Sequence, residues 1–156
     1  MKLKKNIKKF AVIICSCMAL TGCSSVNDDL TAQDIQDYIV DKDLIEHMEE
    51  TGTKGLKRYY GLNASDFDSV VLYTPESSMA VDEMLIVKVK DKSQIEALED
   101  TIDTRINSQL QNFGGYGPEQ CALVNNYELK TEGRYVFFAV SEKAEELKEA
   151  FKEAIK

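Results

Sequence analysis

Acidic side chains dominate the chemistry open to this chain. It carries 27 Asp and Glu in 156 residues, against one histidine, His47. Paired carboxylates can act as general acid and base, but at this density pairs arise by chance. Asp66-Phe-Asp68, at the start of a strand, reads as turn chemistry. A nucleophilic cysteine needs a base beside it. Cys121 is remote in sequence from His47 and reads as a small core hydrophobe. Between Asp28 and Glu50 nine acidic residues face one basic residue, Lys42. That run reads as a solvated face, with a weak surface for cations or a cationic partner as the sharper alternative. No calcium-loop spacing, Gly-rich phosphate loop or nucleophile elbow is present, so no catalytic residue, metal ligand or cofactor is assigned. Two loops remain as candidate ligand-contacting surface. Thr74-Pro-Glu-Ser-Ser-Met-Ala-Val-Asp82 is longer than a hairpin needs and offers Ser77, Ser78 and Met79. Gly114 to Gln120 offers Tyr116, set between glycines, and Glu119. Long loops on a rigid sheet are frequent carriers of recognition; the plainer role for Met79 and Tyr116 is to cover core edges.

The elements that must position these loops follow from periodicity. Thr31 reads as an N-cap, opening a helix toward Glu50 whose stripe drifts after Val40, with a break near Asp41. Leu56 to Tyr60 reads as a short helix ended at Gly61. Asp68 to Thr74 is a strand by β-branched and aromatic content. In Met84 to Lys90, Leu85, Val87 and Val89 alternate with Lys88 and Lys90, which predicts a half-exposed antiparallel strand. Ser93-Gln-Ile-Glu96 reads as a capping box. Behind it, Ile95, Leu98, Ile102, Ile106, Leu110 and Phe113 fall within about 120° of arc on a helix, stopped at Gly114-Gly115. Pro118 suits the first turn of a short helix. Tyr127 to Thr131 and Arg134 to Val140 read as a hairpin turning at Glu132-Gly133, the second strand central. Ser141 then caps a last amphipathic helix. The resulting expectation is an α+β fold: a two-layer domain with a four-stranded antiparallel sheet, hairpin-helix then hairpin-helix, helices packed on one face, plus an N-terminal helix.

The N-terminus has a different character. Lys2, Lys4, Lys5, Lys8 and Lys9 precede an 11-residue apolar run, Phe10 to Leu20. Crossing a bilayer takes about 20 apolar residues, so this pattern reads as a signal peptide rather than a span; a buried core helix is the alternative. Leu20-Thr21-Gly22-Cys23 resembles the lipobox of bacterial lipoproteins. That resemblance implies cleavage after Gly22 and acyl chains on Cys23, where a plain signal peptide would leave a free thiol. Segment 1–22 is then the signal, 23–30 the lipidated Cys and a short tether, and 31–156 a single domain. Cys15 and Cys17 leave with the signal and Cys23 is acylated, so Cys121 stands alone and no internal disulfide forms. Losing five lysines takes the net charge from −8 to −13. A body so acidic is repelled by nucleic acid and by anionic lipid, so the acyl chains are its membrane contact.

Most of the remaining chain is similar to a family of small bacterial lipoproteins, typical of Gram-positive anaerobes, that carry a domain of unknown function. The stretches that bear the resemblance are YYGLNASDFDSVVLYTPESSMAVDEMLIVKVKD (59–91), YGPEQ (116–120) and GRYVFFAVS (133–141). It implies localisation and domain identity and brings no catalytic residues. The expected function is that of a lipid-anchored protein on the extracytoplasmic side of the cell membrane, a non-catalytic binding or interaction module for an envelope protein or small solute. The alternatives are a carboxylate-dependent enzyme acting on cell-envelope material and a structural spacer.

Overall fold

The computed structural model describes residues 26–156. Cys23, the signal segment and the first residues of the tether lie outside that range. Helix α1 (Ala32–Val40) is followed by strand β1 (Met48–Glu50), helix α2 (Gly52–Tyr60), strands β2 (Ser69–Pro75) and β3 (Glu83–Lys88), helices α3 (Ile95–Phe113) and α4 (Pro118–Asn125), strands β4 (Glu128–Glu132) and β5 (Tyr135–Val140), and helix α5 (Ala144–Ala154). The strands form one antiparallel sheet in the order β1-β2-β3-β5-β4. The α+β class is as expected, with a fifth strand added. The first helix breaks at Asp41, its C-cap, as expected, but Met48–Glu50, read as helix, form a strand in which Glu49 pairs with Thr74 on the edge of β2. Three residues, two of them acidic, carry no alternation that would mark a strand.

Helices cover both faces of the sheet, which corrects the two-layer expectation. On one face Val71, Tyr73, Met84, Ile86, Phe137 and Ala139 pack against Ile35 and Ile39 of α1 and Leu147 and Phe151 of α5. Phe137 and Phe151 stack at 5.0 Å between ring centroids. On the other face Leu72, Leu85, Val87, Val136, Phe138 and Val140 meet Leu56 of α2, Leu98, Ile102 and Ile106 of α3, and Val124 of α4. A strand buried on both faces reads as a continuous apolar run, and β3 and β5 are such runs. Lys88 and Lys90 had suggested a half-exposed β3. Lys88 is in fact 5% exposed, at the strand's end, and every residue of β3 is buried.

Local signals act close to where they were read. Thr31 and Asp34 form a reciprocal capping box on α1. The box before α3 lies earlier than read from Ser93. Asp91 accepts from the Ser93 N–H at 2.8 Å, and Gln94 Oε1 accepts from the Asp91 N–H at 3.1 Å, around one 3₁₀ turn. Val26 to Leu30, assigned to the tether, are fastened to the body. Asn27 N donates to Ile155 O at 2.8 Å, and Lys88 Nζ donates to Asp28 O at 2.6 Å. The Tyr135 hydroxyl lies 2.8 Å from the carbonyls of both Asn27 and Leu30. Arg134 closes a forked pair on Asp28, with Nε 3.0 Å from both carboxylate oxygens. Val26 packs over Gly133, whose φ of 62° suits the β4–β5 turn and leaves no room for a Cβ without displacing the valine.

Candidate functional site at the loop end of the sheet

Strand β3 begins at Glu83, directly after the loop 76–82; Thr74 and Pro75, read as loop residues, are the end of β2, where they pair with β1. Glu83 is 0% exposed. A bare buried carboxylate is prohibitively costly, and here three side chains from two helices enclose it. Arg105 of α3 forks onto it, with Nη2 2.7 Å and Nε 3.1 Å from Oε2. The Tyr60 hydroxyl of α2 donates to Oε1. Gln109, one turn beyond Arg105, donates from Nε2 to Oε2 at 3.3 Å and to the Val81 carbonyl at 3.4 Å. Its own Oε1 is buried without a partner among the described residues. Burial pushes the Tyr60 phenol well above its ordinary range, and the Glu83 charge beside it pushes the same way. Burial works to lower the Arg105 pKa, but the hydrogen bonds and charge of Glu83 prevail and raise it. Arg105 is therefore a permanent cation locked in place by a bidentate contact.

The two loops singled out in the sequence meet above this network. Gln120 Nε2 donates to the Met79 carbonyl at 3.1 Å. The 76–82 loop forms a wall between two cavities. The larger, of about 390 Å³, lies toward α2 and α3 and is lined by Arg58, Tyr59, Ser77, Ser78, Arg105 and Asn112, among others. The smaller, of about 260 Å³, is lined by His47, Glu76, Ser77, Met79, Asp82 and Gln120, among others. Ser77 and Ser78 thus line the larger cavity, and Ser77 and Met79 the smaller. Met79 is 57% exposed and Tyr116 62% exposed. Tyr116 leans on Phe113 at 5.7 Å between centroids. Tyr116 and the exposed Glu119 line neither cavity.

His47 was placed in a helix. It sits just before β1 with a left-handed φ of 58°, and its carbonyl accepts from the Glu76 N–H at 3.1 Å. Asp82, nearly buried at the end of the loop, has its carboxyl pushed up chiefly by burial, with the nearby His47 opposing. Cys121 on α4 is half-buried against the α3 side of the core. Among the described residues no group of three or more His, Cys, Asp or Glu is placed to hold a metal ion, and no helix is long and apolar enough to cross a membrane.

Sequence reasoning missed Arg58, Tyr59, Tyr60, Glu83, Arg105, Gln109 and Asn112. One signal was present. Arg105 and Gln109 fall three and seven residues after Ile102, on the flank of the buried arc of α3. Polar side chains there need partners, and Glu83 opening an apolar strand needed the same.

The model of the family described as a domain of unknown function (DUF4358) matches residues 40–141. The chain belongs to that family. The matched span contains both loops, both cavities and the Glu83 network, and stops short of the fastened segment 26–30. No curated protein and no solved structure matches the chain.

Proposed function

We propose that this DUF4358 protein is a lipid-anchored, extracytoplasmic binding module that recognises its ligand at the loop end of its sheet, without chemistry on it. The observation that carries this reading is that the loop after β2 walls two cavities, with Gln120 bonded to it and lining the smaller one, and with Arg105 and Gln109 of the Glu83 network lining the larger. The lipobox resemblance at Cys23 supplies the anchor. Three residue steps from Cys23 to Val26 span at most about 11 Å, so acyl chains on Cys23 would hold the Gly133 end of the body near the bilayer. From Lys88 to Glu83, β3 rises about 17 Å, which carries the loops away from the lipid.

Two experiments bear on the two halves. Metabolic labelling with a clickable fatty acid should mark the wild-type protein and Cys121→Ser, and fail to mark Cys23→Ser. Label retained in Cys23→Ser would remove the anchor from the account. A pull-down from native membranes, combined with thermal shifts of the intact lipoprotein across a metabolite panel, tests the binding half. Background proteins alone, with no shift from any solute, would sink it.

A second reading is favoured by one observation. Asp82, with its carboxyl pushed up by burial, shares the smaller cavity with Glu76 and His47. A carboxylate-dependent enzyme acting on envelope material would use such a set, with the two carboxyls in different surroundings. Turnover of peptidoglycan fragments by wild type but not by Asp82→Asn would establish it, and equal inactivity of both would dismiss it.

A further inference from the structure

We infer that the larger cavity, lined by Arg58 and Arg105, binds a small ligand through an oxyanion, a carboxylate or a phosphate. The inference rests on the binding-module reading and gives its site a ligand class. Two guanidiniums and one carboxylate, Glu76, line this wall, and Glu83 pairs with Arg105 behind it, in a chain whose overall charge is −8. The two arginines play different parts. Arg105 spends Nε and Nη2 on Glu83, while its Nη1 donates to no group among the described residues. Its plane is held by Glu83 beneath and by the Tyr59 ring, 4.9 Å from the guanidinium carbon. A fork already fixed in one orientation loses little freedom when a second acceptor arrives.

Arg58, in the last turn of α2, is exposed and has no carboxylate partner among the described residues. Its nearest aromatic contact is the same Tyr59 ring, at 5.3 Å. Tyr59 thus spaces two cations along one wall. Ser77 and Ser78 of the loop and Asn112 of α3 bring neutral donors to the cavity, and Phe113 and Pro75 give apolar surface. Guanidinium forks with hydroxyl and amide donors are the usual recognition set for carboxylates and phosphates. A volume of about 390 Å³ lies toward the small end of ligand pockets, which suits a small organic acid or phosphate ester. The smaller cavity, with Glu76 and Asp82 and no arginine in its wall, has the opposite character.

The test uses the full-length lipoprotein in non-ionic detergent, titrated calorimetrically with sodium phosphate and with sodium succinate at matched ionic strength. At least one should bind saturably, and which one does identifies the oxyanion. Arg58→Ala should weaken that binding about tenfold with an unchanged melting temperature, and Arg58→Lys, which keeps the charge without the fork, should fall between. Lys54→Ala, an exposed charge on the same helix outside the cavity wall, should bind as wild type. No saturation by either anion up to about 10 mM, the weak end of measurable affinity, would overturn the inference. Equal losses in Arg58→Ala and Lys54→Ala would do the same, since that is bulk electrostatics. An uncharged solute that shifts the melting temperature while both anions fail would leave the binding module standing and the oxyanion wrong. A blank pull-down and a blank panel would remove both.

Discussion

Strand β3 buries a charge at each end, and the two are closed by different means. Glu83 opens the strand on the α2–α3 face and is enclosed by side chains: Arg105, Tyr60 and Gln109. Lys88 ends it on the α1–α5 face, above the Tyr135 ring, and is closed by the chain itself, through the Asp28 carbonyl and a 3.5 Å contact with Asp68. At the Lys88 end the incoming segment 26–30 closes over the ammonium, and the cavity of about 400 Å³ beside it is lined by Val26, Asp28, Lys92, Gly133 and Arg134, with Arg134 forked onto Asp28. At the Glu83 end the partners come from α2 and α3, and the cavity of about 390 Å³ beside them is lined by Arg58, which has no carboxylate partner among the described residues, and by Arg105, whose Nη1 is unspent. A buried charge alone does not mark a site. What marks the loop end is that its neutralising partner, Arg105, is not used up.

The largest expected effect breaks the loop end. Arg105→Met leaves Glu83 buried without its cation, which should cost about 3–5 kcal/mol of stability in urea unfolding. The double change Glu83→Leu with Arg105→Met should recover most of that loss, because removing both charges avoids the stranded carboxylate. If the single and double variants unfold alike, Arg105 does not neutralise Glu83 as described.

The strap end should be more forgiving. Lys88→Met removes a cation whose partners are a carbonyl and a half-exposed carboxylate, both within reach of water. The expected loss is about 1–2 kcal/mol. A loss as large as that of Arg105→Met would erase the distinction between the two ends.

Asp82 sharpens the comparison through pH. Burial raises its folded pKa above the unfolded value, so the folded state holds the proton more tightly. Below the unfolded value, near 3.8, both states are protonated and Asp82 costs nothing. As pH rises through the folded value the ionised form disfavours folding. Asp82→Asn should therefore raise the melting temperature at pH 7 and leave it unchanged below about pH 4. A gain that persists in acid would assign the effect to packing.

The smallest effect belongs to the exposed fork between Arg134 and Asp28. Surface pairs of this kind contribute little, so Arg134→Ala should barely move the melting temperature while amide exchange rises at residues 27–30. The Arg134 hydrogen bonds hold the Asp28 carboxyl below its usual range. That contact is therefore intact above the ordinary carboxylate pKa and is lost as pH falls through the lowered value.

Much of the frame was legible before the structure. The long arc of α3 and the hairpin at Gly133 follow from spacing that local physics enforces. The burial of β3 on both faces was obscured by two lysines, because a lysine's long stem can lie along apolar surface while its ammonium finds a carbonyl. Strand β1 exists only because the edge of β2 offers it partners. The Glu83 network joins residues 60, 83, 105 and 109, and no periodicity links positions so far apart. Ser77 and Ser78 could be named from loop length alone, whereas Arg58 and Arg105 needed the fold to bring their helices to one wall.

Hydrogen–deuterium exchange of the full-length lipoprotein, with and without the phosphate or succinate that binds, tests most directly that the loop end and not the strap end is the recognition surface. Protection is expected at residues 76–80 and around 58–60, with none at 26–30. Protection confined to 26–30 and 133–135 would contradict the account.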